Sequence, residues 1–418
     1  MNLSKMSACH IWICVPTLAV LLILYSLTDV FKPNVDSVIA STISDTNKLG
    51  ARAVPTLQLL IVFTRHGSRG PRFNYPSSPY HPLDTNYWPN GWLEITARGH
   101  VQMYKLGMKF RSLYNGFLDR IYRLEDLQAN STLLTRTMMS ASQFLAGLFP
   151  SRDYQLWNKY LPWQPVPIYP TYKDHQEIAY AMFAMKCPRF YEAWNKSVAE
   201  SFLSNRQNIT NLLKYAKPFT KIDFDESFND TQSAWMTIFT MWESIFPIIE
   251  EGLPLPSWMD EVYQRNLTFL ADRTMRAASV GSDTQIRLIE GVYFKEITKL
   301  MRSKIEGTLR PDRKMFYFCG HDFTLLGLQG VLGLTHDPTG RLNARTGSAL
   351  IFELHKDLQT EMFYVQVLYI DGASPDLEPL DINIPGCDSP CDFHLLMNIT
   401  EKYHNITNWK RECQIIDI

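Results

Sequence analysis

The chain has 418 residues, of which 45% are hydrophobic and 20% charged, and its formal net charge is −1 at pH 7. This is the composition of a folded globular protein with one large domain or two, and it excludes a chain that is disordered throughout. A net charge near zero argues against a nucleic-acid partner, because such proteins usually carry a basic stripe.

The first 54 residues hold an apolar run and a polar stretch. Residues 11–27, "IWICVPTLAVLLILYSL", carry no charge and follow Lys5. The run is long for a secretory signal and just long enough for a membrane span of about 17–25 residues. We therefore expect an uncleaved type II anchor and a stem, with a cleaved signal as the alternative. In both cases the rest of the chain faces the lumen or the exterior.

The remaining pattern alternates strands and helices. Short apolar runs predict strands at 57–63, 314–319, 348–355 and 361–370. Helical spacing is found at 94–114, 136–149 and 283–301, residues 165–171 resemble an extended segment, and 176–279 is almost wholly helical in pattern. This order predicts an α/β domain (55–175 and 280–418) with a largely parallel sheet and a helical insertion domain (176–279).

A first turn rich in arginine and glycine follows the first strand: "FTRHGSRGP", residues 63–71, which we call the signature turn. Ligands of such sheets bind at the carboxyl ends of strands. Arg65 and Arg69 offer planar forks suited to phosphate oxygens, and His66 between them is an available nucleophile or base. Gly67 and Gly70 would let the backbone turn and approach an anion.

A second turn, "CGHDFTLLG" (319–327), follows the strand at 314–319. It supplies His321 and Asp322 at a helix start, where anions are favoured, and a carboxyl group there could protonate a leaving oxygen. Arg136 begins another helix against the macrodipole preference. Each residue alone has an ordinary interpretation, as an N-cap, a turn residue or a surface cation. The remaining histidines form no constellation and are interpreted as structural: His81, His100, His175, His336 and His355.

Sequons and cysteines both indicate a secretory compartment. The cysteines of "GCDSPC", Cys387 and Cys391, suit a small disulfide, and the alternative is a zinc site with His394 and perhaps His404. N-x-S/T glycosylation sequons occur at seven asparagines: Asn130, Asn195, Asn208, Asn229, Asn266, Asn398 and Asn405.

Together these motifs resemble a known family. "RHGSRGP" is similar to the R-H-G-x-R-x-P signature of the histidine acid phosphatases, and "GHD" to their second signature. "STLLTRTMMSASQFLAGLFP" resembles the family segment that carries a third arginine, and "CPRF" and "PGCDSPC" also match. The resemblance covers most of residues 55–413. It implies an α/β, phosphoglycerate-mutase-like three-layer domain with an inserted, mostly helical smaller domain, and neither cofactor nor metal.

The resemblance also implies roles. His66 resembles the nucleophile that becomes phosphohistidine, and Asp322 the acid that protonates the leaving alcohol; a protonated Asp322 would account for an acid optimum. The phosphate-binding residues implied are Arg65, Arg69, Arg136 and His321. Cys187 would pair with Cys413, which leaves Cys319 as a free thiol.

This resemblance predicts an acid phosphatase for phosphate monoesters, in the lysosome, another lumen or the cell exterior. The expected partners are small phosphate monoesters, the predicted membrane anchor and, at most, a second copy of the chain. Leu133 and Thr135 replace two acidic residues common in the family, which puts the setting of Arg136 in question. This change suggests one alternative, an inactive phosphate-binding or adhesion ectodomain. The predicted anchor and stem suggest another, a specialised secretory-pathway phosphatase for phosphorylated glycans or lipids.

Overall fold

The computed structural model describes residues 49–170, 187–224 and 230–415. Gly50–Ile418 form one compact unit. The predicted anchor at 11–27 lies outside the described residues, as do His175 and Asn229. Within the described ranges, no helix is both long and apolar enough to cross a membrane.

A single mixed sheet forms the centre of the compact unit. Its neighbouring strands run in the order β3-β2-β4-β1-β5-β6-β7, and β8 pairs with β6. β3, β2, β4 and β1 are mutually parallel, whereas β5 to β8 pair antiparallel. The strands are β1 (Leu57–Arg65), β2 (Leu127–Ser131), β3 (Ile168–Pro170), β4 (Met315–Gly320), β5 (Ala349–Lys356), β6 (Phe363–Ile370), β7 (Leu380–Asp381) and β8 (Cys391–Asp392).

The second half of the sheet corrects the expectation of a largely parallel arrangement. β5 and β6 are joined by a tight turn in which the Asp357 N–H donates to the carbonyl of Met362 at 2.8 Å. A parallel pair needs a crossover of a dozen or more residues, which this connection does not supply. The two strands therefore form a hairpin.

Helices cover both faces of the sheet. Alternate residues of β1 point to opposite cores: Ile61 and Phe63 enter one, Leu60 and Val62 the other. The helices are α1 (Ala97–Leu113), α2 (Thr135–Leu148), α3 (Pro188–Thr220), α4 (Thr231–Glu251), α5 (Glu261–Val280), α6 (Asp283–Ile305), α7 (Asp322–Val331), α8 (Phe393–His404) and α9 (Trp409–Glu412). Helices α1 and α2 pack on the second core, and α6, α7 and α8 on the first, which gives the three-layer α/β arrangement predicted.

The helical block of the sequence prediction contains α3, α4 and α5. These helices share a core of their own, to which Leu213, Ile238, Trp242 and Leu270 contribute. The apolar stripe of α4 accounts for this packing, since a helix with apolar residues at helical spacing buries that face. Helix α4 also contacts the signature turn, through a hydrogen bond from Arg69 to Glu243.

Candidate active site

The signature turn is fixed by backbone hydrogen bonds at the carboxyl end of β1. Arg65 lies opposite Gly320 in the parallel register with β4. The His66 N–H donates to the Gly320 carbonyl at 3.0 Å, and the Gly347 N–H donates to the His66 carbonyl at 3.0 Å. Two strand ends and the segment before β5 therefore hold His66 in place.

The glycines of the signature turn are required by close packing. A Cβ on Gly67 would lie 2.5 Å from the carbonyl oxygen of Gly99 in α1, and a Cβ on Gly70 would lie 3.0 Å from that of Gly91. The sequence predicts that these glycines let the backbone turn and approach an anion. The contacts assign Gly67 to the approach of α1, which sets the turn against the helix.

His66 is buried, and its ring is oriented by its own turn. Its Nδ1 lies 2.8 Å from the carbonyl oxygen of Gly67, so Nδ1 carries the proton and Nε2 keeps its lone pair. Burial is the main cause that lowers the pKa of His66 well below its usual value. Four neighbouring side chains lower it further: Arg136, Arg65, His321 and Arg69. The lowered pKa favours the neutral imidazole, so His66 is a potential nucleophile.

The second turn brings His321 to the same place. His321 is the N-cap residue of α7, and its ring centroid lies 5.6 Å from that of His66. Its Nε2 lies 3.2 Å from the hydroxyl of Thr132, which orients the imidazole. Burial, followed by the charge of Arg136, lowers the pKa of His321 well below its usual value. Both histidines at the site are thus neutral.

Asp322, the first residue of α7, forms an ion pair with Arg65. Its Oδ2 lies 3.0 Å from Arg65 Nη2, and its Oδ1 accepts the Phe323 N–H at 2.9 Å. Burial acts to raise the pKa of this carboxyl, but Arg65, His321 and the Phe323 N–H outweigh it, so the pKa is lowered. This direction is opposite to the expectation of a protonated Asp322, because the charge of Arg65 favours the carboxylate.

Three arginines around His66 each keep one buried donor without a partner. Among the described residues, the Nε–H groups of Arg65, Arg69 and Arg136 are buried and donate to no hydrogen-bond acceptor. Buried donors without partners are costly, and most native proteins avoid them. Burial, then the charge of Arg69, lowers the pKa of Arg136 to about 10. Three such donors beside two neutral imidazoles form a site suited to an oxyanion.

Leu133 and Thr135, which replace two acidic residues common in the family, lie on the protein surface. Leu133 is 44% exposed, and Thr135 is also exposed at the start of α2. Arg136 still comes within electrostatic range of Asp322 and Arg69. The loss of the two acidic residues therefore leaves the third arginine at the site.

A residue that sequence reasoning missed, Glu243 of α4, also belongs to the site. Arg69 Nη2 donates to both carboxylate oxygens of Glu243, at 2.9 and 2.7 Å, and Glu243 is 3% exposed. Three residues later, the Phe246 ring lies under Arg65, with 5.6 Å from Cζ to the centroid. The available signal was a lone acid in the apolar stretch "FTMWESIFPII" (239–249).

The cysteines are paired as the resemblance implied. Cys187 is bonded to Cys413, and Cys387 to Cys391, so the latter two thiols are not zinc ligands. Cys319 is free and buried, and burial raises its pKa to about 11.

The sequon asparagines differ in exposure. Asn208, Asn266, Asn398 and Asn405 are exposed, and Asn195 is half-buried. Asn130 differs from the prediction of a glycosylation site. It lies on β2 inside the sheet and is 5% exposed. Its side-chain amide donates to the Tyr317 carbonyl at 3.5 Å. The folded sheet leaves no room there for a glycan.

Several known proteins are similar to this chain. Bovine (Bos taurus) prostatic acid phosphatase is 28% identical over 374 residues, which are 88% of this chain and 89% of the relative. Human (Homo sapiens) lysosomal acid phosphatase is 27% identical over 86% of this chain and 81% of its own. Among solved structures, the Citrobacter braakii phytase has a TM-score of 0.65 at 16% identity and covers 86% of this chain and 100% of its own. That likeness concerns the fold.

The family assignment agrees with the site. The model of the histidine phosphatase superfamily (branch 2) matches residues 56–370, which include both turns, Arg136 and Glu243. The matched region runs from β1 to the end of β6 and so spans the whole arrangement around His66. The chain therefore belongs to the histidine phosphatase superfamily, branch 2.

Proposed function

We propose that this protein is an acid phosphatase that hydrolyses phosphate monoesters through a phosphohistidine at His66. The observation that carries the proposal is the set of three buried arginine Nε donors around a neutral histidine. Phosphoryl transfer needs positive charge on the equatorial oxygens and an in-line nucleophile, and little else. The resemblance to acid phosphatases supports the same reaction.

In the first step, the Nε2 lone pair of His66 forms a bond to phosphorus while the bond from phosphorus to the leaving oxygen breaks. Asp322 gives its proton to that oxygen, and the alcohol departs. Arg65, Arg69 and Arg136 hold the three equatorial oxygens. The products of this step are phosphohistidine and an ionised Asp322.

In the second step, water attacks the phosphohistidine. Asp322 accepts a proton from the water as its oxygen bonds to phosphorus, and the bond from phosphorus to Nε2 of His66 breaks. Inorganic phosphate takes that proton from Asp322 and leaves as its monoanion, and His66 is neutral again. Asp322 is then ionised, as in the free protein, and the cycle needs no external oxidant or reductant.

The proton that Asp322 needs comes with the substrate. In the free protein the ion pair with Arg65 holds Asp322 charged. A phosphate monoester is largely a monoanion below its second pKa of about 6, so it brings one proton into the site. When its oxygens engage Arg65, the hold of Arg65 on Asp322 weakens and the carboxylate takes that proton. An acid optimum follows, since the dianion that prevails above pH 6 lacks the proton.

The test is turnover of a nitrophenyl phosphate by the full chain near pH 5 without added metal. We expect turnover, trapping of labelled phosphate on His66, and loss of both in His66→Ala. Asp322→Asn should slow the first step most for alkyl esters, whose leaving groups are poor. A folded protein without turnover or labelling would overturn the proposal.

We further propose a lumenal or extracellular location, and one relative is named a lysosomal acid phosphatase. Two disulfides and four exposed sequons support an oxidising compartment. Residues 11–27 keep their interpretation as a signal or type II anchor. The N-terminal residue of the mature protein distinguishes the two, because a cleaved chain begins after residue 27.

A further inference from the structure

Arg345 is a fourth arginine at the site, and the resemblance did not include it. It belongs to the segment Ala344–Ser348, which wraps around the signature turn. Arg65 donates from Nη1 to the Ala344 carbonyl at 2.6 Å and from its backbone N–H to the Ser348 carbonyl at 2.9 Å. The segment is therefore anchored directly to Arg65, which fixes where Arg345 begins.

The side chain of Arg345 shares an aromatic ring with Arg65. Their Cζ atoms lie 5.4 and 5.6 Å from the centroid of Phe246. Both guanidiniums are thus held by one ring of α4. They differ in exposure, because Arg65 is 1% exposed and Arg345 is half-buried. Arg345 is therefore the more accessible of the two guanidiniums, and a leaving group that extends toward solvent can reach it.

Arg345 also differs from its neighbours in charge balance. Arg65, Arg69 and Arg341 pair with Asp322, Glu243 and Asp371. Within the described ranges of the chain, Arg345 has no carboxylate within ion-pair distance. A guanidinium held on an aromatic ring without a direct ion pair can bind an anion.

We propose that Arg345 on Phe246 forms a second anion subsite, which binds an acidic group on the leaving part of the substrate. The protein then prefers phosphate monoesters whose alcohol carries a further phosphate, carboxylate or sulfonate. This inference rests on the proposed phosphatase activity and deepens it, because it names the substrate class.

Asp272 of α5 makes the subsite dependent on pH. Burial raises the pKa of Asp272 to about 6, and the charged groups that act on it are Arg345, Arg65, Arg341 and Asp337. Below this pKa the neutral carboxyl predominates and does not offset the charge of Arg345. Above pH 6 the carboxylate forms and offsets Arg345. The preference for a second anion therefore belongs to the acid range.

The experiment compares two esters with the same reacting end. One is 4-hydroxybutyl phosphate; the other carries a sulfonate in place of the distal hydroxyl and keeps that charge at every pH used. The pair is made with spacers of two to six carbons, so that the sulfonate is tested at several distances from the phosphate. At pH 5 we expect kcat/KM to be about tenfold higher for the best sulfonate ester, an effect typical of one charge-assisted contact. The ratio should decrease with salt.

Variants assign the effect to Arg345. Arg345→Gln should bring the ratio to about one, and Arg345→Lys should keep part of it. Arg302→Gln, an exposed change in the last turn of α6, should keep all of it. Between pH 5 and 7 the ratio should fall in the natural protein and persist in Asp272→Asn. A ratio near one at all spacer lengths, or one that survives in Arg345→Gln, overturns the subsite.

A binding measurement separates this inference from the proposed activity. Butylphosphonate and 4-sulfobutylphosphonate cannot be hydrolysed, and calorimetry gives their affinities for the full chain. A tighter sulfonate that loses its advantage in Arg345→Gln supports the subsite even if turnover is absent. Equal affinities for the two phosphonates, with turnover intact, overturn the subsite and leave the proposed activity standing.

Discussion

Arg69 of the signature turn and Glu243 of helix α4 form a buried ion pair across 174 residues of sequence. Both carboxylate oxygens lie within 2.9 Å of Arg69 Nη2, and both side chains are almost inaccessible. Arg69 Nε remains a buried donor without a partner among the described residues. Glu243 thus fixes one edge of the guanidinium and sets a negative charge beside the oxyanion donors.

This pair predicts that Glu243→Gln binds inorganic phosphate more tightly. The amide can still accept from Arg69, but the negative charge that opposes phosphate is gone, so the inhibition constant of phosphate should fall about tenfold. Glu243→Ala should instead lower the free energy of unfolding by about 3–5 kcal/mol, because Arg69 is left as an unpaired buried charge.

Competitive inhibition and chemical denaturation measure the two effects. Added phosphate should restore much of the stability of Glu243→Ala, since phosphate replaces the lost partner. Glu261→Gln, an exposed acid at the start of α5, is the matched control. Unchanged or weaker phosphate binding in Glu243→Gln would mean that the carboxylate only orients Arg69.

Arg136 is predicted to set the acid limit of activity. Its charge is the largest electrostatic cause that lowers the pKa of His66. In Arg136→Gln that pKa rises, His66 takes up a proton at higher pH, and the acid limb of kcat/KM moves toward neutral. The loss of one oxyanion donor should also lower kcat about 10²–10³-fold. The pH profile with a nitrophenyl phosphate measures both.

A double variant, Leu133→Asp with Thr135→Asp, is the control for Arg136. It restores acids at the two exposed positions before the arginine. Since these side chains point to solvent, we expect kcat and the acid limb to stay within about twofold of the natural protein. A large change would show that the exposed positions do act on Arg136.

The active site divides into a part that the sequence predicts and a part that it does not. Arg65, His66, Arg69, His321 and Asp322 fall in two short motifs at strand ends, and parallel pairing of β1 with β4 brings those ends together. The two motifs and the strand pattern are therefore enough to predict that these five side chains lie together.

The missed groups are brought in by packing. Glu243 and Phe246 reach the site because α4 lies against the signature turn. Arg345 reaches it because its segment is hydrogen-bonded to Arg65 and its side chain lies on Phe246. Helical periodicity predicts that α4 exists, but it does not predict which surface its polar residues will meet. The same gap hid the burial of Asn130, since a sequon carries no information on the face of a strand.

The two neutral histidines predict a loss of stability in acid. The folded state holds the pKa values of His66 and His321 well below the usual 6.5, so below that pH the unfolded chain binds more protons than the folded one. The free energy of unfolding should therefore fall as pH decreases from 7 to 5, by up to about 1.4 kcal/mol per pH unit for each histidine.

Urea denaturation at several pH values without phosphate tests this dependence. The double variant His66→Gln, His321→Gln should have a shallower slope over pH 5–7. His81→Gln, an exposed histidine in the loop before α1, should keep the natural slope. An unchanged slope in the double variant would assign the acid dependence to other groups.

Exposure divides the sequons into sites that can carry a glycan and one that cannot. Asn208 of α3 and Asn266 of α5 line one groove of about 420 Å³, beside the half-exposed rings of Tyr215 and Phe269. A first sugar on either asparagine can pack on these rings, which are otherwise costly to expose. We expect Asn208 and Asn266 to be modified and the buried Asn130 to be unmodified.

Peptide mass spectrometry of protein from a eukaryotic secretory host measures the occupancy. Thr210→Ala and Thr268→Ala remove the two sequons without changing the asparagines that line the groove. Thr400→Ala, which would remove the sequon of Asn398, is unsuitable as a control because Thr400 is buried. Loss of both glycans should lower the melting temperature and increase binding of an apolar dye, whereas loss of the Asn405 glycan through Thr407→Ala should change neither. Trimming to one sugar should preserve the stability, because only the first sugar reaches the rings. A glycan found on Asn130 would contradict the observed pairing of β2 with β4, since that asparagine lies inside the sheet.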